Sequence, residues 1–267
     1  MLVHLKNIGA VNVVRTGAQG GAPLVLLHPV SMDVSWWGDQ FKEFGAEREV
    51  VAIDLPGHGL SAQPDCPLTL EWMADAIEGI LENIGGAAVD LVGVSVGGMI
   101  AQTLALRRPD LVRSLTLVAT LCAFSENVRG LLRERARVAR VEGMARIAEL
   151  SIERWFTPAF RARRPDMIAR ATIGLLRQSG DYHARMWEMI AQLDLENRLH
   201  AIGCPTLVMT GTDDINAPPA AAEQIARAIP GAVAKLLPGL GHFPPFEDPA
   251  GFNSLLRAFI SGVERCD

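Results

Sequence analysis

Short apolar runs alternate along the chain with stretches of helical periodicity. The runs at residues 3–7, 11–16, 23–27, 49–54, 89–94, 114–119, 206–210 and 232–237 read as strands. Several are continuous in Val, Leu and Ile rather than alternating with polar residues. That pattern suits strands buried on both faces, hence a mostly parallel sheet. Between them, residues 35–46, 70–84, 96–108, 220–228 and 249–261 carry helical spacing. Asp248 before Pro249 is a helix start, with an acceptor at the N-cap and a proline at the first helical position. The alternation predicts a doubly wound α/β sheet of eight strands flanked by helices.

The alternation stops after Ala119 and restarts at Cys204-Pro205-Thr206-Leu207. From about residue 125 to 194 the pattern is helical, with no convincing strand. The simplest organisation is a core made of residues 1–122 and 197–267, with a helical cap inserted as residues 123–196. No internal repeat or low-complexity segment interrupts it.

Composition narrows the class. The 267 residues are 49% hydrophobic and 21% charged, enough to bury a sizeable core and poor material for disorder. A net charge of −5 argues against nucleic-acid binding by the whole surface. No apolar run reaches membrane-spanning length. The first sixteen residues alternate and carry His4, Lys6 and Arg15, unlike the basic-then-apolar layout of a signal peptide. Cys66, Cys122, Cys204 and Cys266 are widely spaced, so they read as reduced thiols of a cytoplasmic protein rather than as disulfides or a metal site.

The charge is unevenly spread. Residues 126–177 hold twelve Arg against six acidic residues, a net of +6, which leaves −11 for the rest of the chain. Arg129, Arg133, Arg137 and Arg140 recur at helical spacing. Such a row reads as a solvated helix face, or as a basic cover that draws in an anionic substrate.

The candidate chemistry begins at Gly93-Val94-Ser95-Val96-Gly97, between an apolar strand and a helical stretch. A sharp strand-to-helix turn strains the serine backbone, and the flanking glycines remove Cβ atoms that would clash. The serine hydroxyl then stands clear of the sheet at the positive end of a helix. An activated serine needs a base, and the base an orienting acid. Of six histidines, His242 lies in a glycine-rich loop just after the last strand, where sites of doubly wound sheets form. The acid should follow a strand between Ser95 and His242. Gly211-Thr212-Asp213-Asp214 does so, and spacing alone leaves Asp213 and Asp214 both open.

The order Ser, Asp, His along the chain is that of α/β-hydrolases. The chain resembles that superfamily over essentially its whole length. The likeness includes Leu26-Leu27-His28-Pro29 before Trp36-Trp37, Asp54-Leu55-Pro56-Gly57-His58-Gly59-Leu60-Ser61, the serine turn, Gly211 to Asp214 and Gly241-His242. The resemblance implies Asp214, third after the glycine, as the acid. It implies an oxyanion hole from the backbone N–H of Val96 and of Val30. Members usually carry His-Gly where this chain has His28-Pro29, and proline has no N–H, which moves the donor to Val30. The loop from Asp54 to Ser61 reads as structural.

Within the superfamily the chain is similar to 3-oxoadipate enol-lactonases, through Arg140-Val141-Glu142-Gly143-Met144 and Glu153-Arg154-Trp155-Phe156-Thr157-Pro158-Ala159-Phe160. That likeness implies Trp155 and Arg140 as substrate-binding residues. It also implies a carboxylic ester hydrolase or lactonase that opens an acidic lactone with no metal or organic cofactor. His28-Pro29-Val30-Ser31-Met32 departs from the more polar, glycine-containing segment of those enzymes. Three rivals share the fold: a carbon–carbon bond hydrolase of ring-cleavage products, a cofactor-independent oxygenase or perhydrolase, and a ligand receptor without turnover.

Overall fold

In the computed structural model, which describes residues 1–18 and 20–265, eight strands form one sheet. They are β1 (Leu2–Leu5), β2 (Gly9–Gly17), β3 (Leu24–Leu27), β4 (Glu49–Ile53), β5 (Val89–Val94), β6 (Val112–Val118), β7 (Thr206–Gly211) and β8 (Val233–Leu237). Their spatial order is β1-β2-β4-β3-β5-β6-β7-β8. β2 runs antiparallel to both of its neighbours, and the other pairings are parallel. Every predicted strand is present. β1 ends earlier than its apolar pattern because Asn7 adopts a left-handed backbone (φ 66°) and turns the chain back into β2.

β3, β4 and β5 are buried along their whole lengths. That is the physical meaning of their unbroken apolar runs: helices cover both faces. The helices are α1 (Gly38–Phe44), α2 (Leu70–Asn83), α3 (Val96–Arg107), α4 (Glu126–Val141), α5 (Met144–Trp155), α6 (Pro158–Arg163), α7 (Pro165–Arg177), α8 (Gly180–Ile190), α9 (Pro219–Ala228), α10 (Pro244–Glu247) and α11 (Pro249–Glu264). The helix predicted from residue 35 begins instead as a 3-10 turn, Val34–Trp37, before α1. At α11 the Asp248 carboxylate accepts from the Gly251 N–H at 3.1 Å, with Pro249 at the first helical position.

Helices α4 to α8 all fall between β6 and β7. The two ends of this insertion are tied together. Ala123 pairs with Asp194 in an isolated bridge, and the Leu195 N–H donates to the Cys122 carbonyl at 2.7 Å. α4 buries only Ala136 and Ala139 along its sixteen residues, so its arginines are left to the surface and to the site below. α4 packs closely on α8: a Cβ at Gly180 would meet the Ala139 carbonyl at 2.6 Å.

The Asp54–Ser61 loop is held by bonds among its own residues and to Asn12 and Val34 beside it. Asp54 accepts from the N–H groups of Val34 (2.7 Å) and Leu60 (2.9 Å) and from Asn12 Nδ2 (2.8 Å), and Ser61 Oγ donates to the Asp54 carbonyl at 2.6 Å. Cys66, Cys122 and Cys204 are free thiols. Cys266 lies outside the described residues. Among the described residues no helix is long and apolar enough to cross a membrane.

Candidate active site

β5 delivers Ser95 and α3 begins at the next residue. Ser95 has φ 54° and ψ −117°, a conformation strongly disfavoured for a side chain and held by its surroundings. Its carbonyl accepts from the Gly98 and Met99 N–H groups and from Thr120 Oγ1. The two flanking glycines are spatial requirements. A Cβ at Gly93 would meet the Gly97 carbonyl at 2.3 Å, and one at Gly97 the Leu27 carbonyl at 2.5 Å. Ser95 Oγ lies 3.1 Å from His242 Nε2.

His242 Nδ1 lies 2.8 Å from Asp214 Oδ2. With the Nδ1 proton donated to Asp214, Nε2 is left to accept the serine hydroxyl proton. Asp214 sits just after β7. Its Oδ1 accepts from the N–H groups of Asn216 (2.8 Å) and Ala217 (3.1 Å), and Thr210 Oγ1 donates to its Oδ2 at 3.3 Å. Burial opposes the charge on Asp214. The His242 ring and the two amide donors outweigh burial and hold the carboxyl below its usual range. Asp213 instead is exposed and accepts from Thr212 Oγ1. Of the two aspartates that spacing left open, Asp214 is the one within hydrogen-bond distance of His242.

Two contacts that sequence reasoning missed fix the His242 loop. Buried Glu247 accepts from the Gly241 and Phe243 N–H groups, each at 3.0 Å, so its carboxylate clamps the peptides on both sides of His242. Burial raises the Glu247 pKa against these bonds. The His242 N–H donates to the Trp155 carbonyl at 2.9 Å, which ties the loop to the end of α5. The only sequence signal was an acid within Phe243-Pro244-Pro245-Phe246-Glu247, an otherwise apolar run.

The loop after β3 carries His28-Pro29-Val30. His28 is fully buried and uses both ring nitrogens on backbone. Nδ1 donates to the Pro29 carbonyl at 2.8 Å, and Nε2 accepts from the Leu55 N–H at 2.9 Å. Burial, opposed by the bond to Pro29, lowers its pKa to about 4, so the ring is neutral. In a trans peptide the carbonyl and the next N–H point in opposite directions. Pinning the Pro29 carbonyl therefore sets the direction of the Val30 N–H. Val30 borders the same cavity as Ser95.

That cavity measures about 330 Å³ and is walled by Met99, Phe124, Leu132, Trp155, Trp187 and Ile190, with Ser95 and His242 among its lining residues. Larger spaces lie elsewhere, including a groove of about 640 Å³ lined by α5 and α7 residues such as Arg146 and Thr172; it does not reach Ser95. Trp155 lines the cavity beside Ser95 and also packs its ring on Phe243, 5.3 Å between centroids. Arg140 does not line it. This corrects the expectation that Arg140 binds substrate: it points outward and pairs with Asp181 (3.0 Å) and Glu188. Arg135 and Arg154 line the cavity instead. Among the described residues, no group of three or more His, Cys, Asp and Glu side chains is placed to hold a metal ion.

A polar hydroxyl in line with a buried imidazole and a carboxylate, beside a small apolar cavity, has the geometry for proton transfer from serine. Residues 24–255 match the model of the alpha/beta hydrolase family. The chain belongs to that family. It is 25% identical to 3-oxoadipate enol-lactonase 2 of Acinetobacter baylyi, over 94% of this chain and 93% of the relative. It is 27% identical to an (E)-2-((N-methylformamido)methylene)succinate hydrolase of the same organism, over 90% of each. Among solved structures, a thermophilic esterase of Thermogutta terrifontis with malate bound superposes with TM-score 0.89 at 30% identity, covering 95% of this chain and 94% of that one. The enol-lactonase of Burkholderia xenovorans superposes with TM-score 0.89 at 28% identity, covering 94% and 96%.

Proposed function

We propose that this α/β-hydrolase is a serine hydrolase of small carboxylic esters or lactones that carry a second acidic group, such as 3-oxoadipate enol-lactone. The observation that carries the reading is the hydrogen-bonded line Asp214–His242–Ser95 at the wall of the 330 Å³ cavity. Likeness to enol-lactonases, and to an esterase solved with a dicarboxylate bound, supports the substrate class.

His242 Nε2 takes the Ser95 hydroxyl proton as Oγ attacks the carbonyl carbon. The tetrahedral oxyanion rests on the Val30 and Val96 N–H groups. Asp214 stabilises the imidazolium and holds its tautomer. The carbon–oxygen bond to the leaving group breaks, and the imidazolium hands its proton to that oxygen. In a lactone both products stay in one molecule, now an acyl-enzyme with an opened ring. His242 then takes a proton from water, whose oxygen attacks the acyl carbon. Collapse releases the carboxylic acid and returns the proton to Ser95. Helices α4 to α8 act as a cap that supplies most of the apolar wall and slows the entry of bulk water.

The test is hydrolysis of 3-oxoadipate enol-lactone and of a neutral short-chain p-nitrophenyl ester by wild type and Ser95→Ala. Serine-dependent opening of the lactone, faster than ester cleavage, is expected. Full activity in Ser95→Ala would overturn the nucleophilic role. Serine-dependent ester cleavage without preference for the lactone would discard the substrate class and keep the mechanism.

A further inference from the structure

Five arginines lie on α4, and four of them have carboxylates within 4 Å. Arg129 is near Glu126 and Asp194, Arg133 pairs with Glu126, Arg137 with Glu134, and Arg140 with Asp181 and Glu188. Arg135 is different. Among the described residues no carboxylate pairs with it, and it faces the cavity that holds Ser95. Its guanidinium lies over the Trp187 ring, 4.6 Å from the centroid, and one terminal nitrogen donates to Ser151 Oγ. The Ser151 hydroxyl donates in turn to the Ile147 carbonyl at 2.5 Å, so its lone pair is turned toward the arginine. Arg135 Nε is shut off from solvent and has no hydrogen-bond partner. Arg154, the other cavity arginine, bonds to Asn216 Oδ1 at 3.0 Å and is the like charge that Arg135 senses. None of the residues that line the cavity is acidic.

A half-buried cation without a counter-ion, its Nε shut off from solvent and its position fixed by stacking and one hydrogen bond, is costly unless an anion joins it. Burial, with the charge of Arg154, lowers its pKa to about 10, so it remains charged at neutral pH. The planar fork suits a carboxylate, which it can meet with two parallel N–H bonds.

We propose that Arg135, held by Ser151 and Trp187 and seconded by Arg154, is the subsite that takes a carboxylate carried by the substrate while Ser95 attacks its ester or lactone carbonyl. The proposal rests on the hydrolase reading above. It assigns substrate choice to one side chain of the cap rather than to the basic surface as a whole.

The test compares mono-p-nitrophenyl glutarate with p-nitrophenyl valerate, which differ only in carboxylate against methyl, in wild type, Arg135→Met and Arg135→Lys. The ratio of kcat/KM for the acid over the neutral ester is expected to fall about 10- to 100-fold in Arg135→Met, mainly through KM, as loss of a charged hydrogen bond dictates. Arg135→Lys keeps a charge without the fork and is expected to fall between. Glutarate should also inhibit neutral-ester hydrolysis in wild type and lose potency in Arg135→Met by a similar factor. An unchanged ratio, or an equal loss on both esters, overturns the proposal. If neither ester shows serine-dependent turnover, the hydrolase reading fails separately. Calorimetric titration of wild type and Arg135→Met with glutarate then decides the subsite: tighter binding to wild type supports it, and equal or no binding overturns it.

Discussion

His28 has both ring nitrogens committed to main-chain groups, one to Pro29 and one to Leu55. No other side chain offers a donor and an acceptor at those two places in one rigid ring. His28→Phe is expected to leave the Leu55 N–H unpaired and the Pro29 carbonyl held only by the longer bond from the Met32 N–H (3.3 Å), which loosens the Pro29–Val30 peptide. Loss of a single oxyanion donor costs roughly 100- to 1,000-fold in kcat, and a loosened donor should cost about 100-fold. KM for a neutral ester should move far less. Steady-state kinetics beside a folding check by circular dichroism would show it, and a folded variant with wild-type kcat would sink the assignment. Asp214 and Asp213 make the same point about what sequence alone can resolve. The neighbours differ in which way each faces after β7: the Asp213 N–H donates to the Leu240 carbonyl at 2.9 Å and its side chain is exposed, while the Asp214 carboxylate is buried against His242.

At the scale of elements, the centre of the sheet was legible because β3, β4 and β5 are buried on both faces. Residues such as Leu24 to Leu27 and Val89 to Val94 can be little else. The serine turn was legible because its strain demands Gly93 and Gly97 at fixed offsets. The insertion was legible only as helical. α4 explains why its inward face was hidden. A helix normally declares that face by a stripe of large apolar residues, yet the buried positions of α4 are Ala136 and Ala139. Arginines surround them on every side, so the periodicity does not separate Arg140, which reaches Asp181 and Glu188, from Arg135, which reaches the cavity. The Glu247 clamp was hidden for another reason: its partners are backbone N–H groups, which carry no residue-type signal.

Over the whole molecule, three buried histidines stand out. Burial lowers His28 to about 4, and His58 and His183 to about 3. His183 is held neutral by accepting from Trp187 Nε1 (2.7 Å) and donating to Gln178 Oε1 (2.9 Å). Each takes up a proton near pH 6.5 when the chain unfolds, and not when it is folded. Stability is therefore complete above about pH 6.5 and is lost as pH falls toward the folded values. Three such groups give a slope of about 4 kcal/mol per pH unit between roughly pH 6 and pH 4. Urea midpoints across that range should fall steeply, and a flat profile would refute neutral burial of these rings. The same whole-chain view applies to the chemistry, because a single nucleophile predicts a single site of modification. The most direct measurement is intact-mass and peptide mapping after reaction with a small fluorophosphonate. The account predicts one adduct per chain, on Ser95, with esterase activity lost in step and no adduct in His242→Ala on the same timescale. Loss of activity with the adduct elsewhere, or full activity with Ser95 labelled, would contradict it.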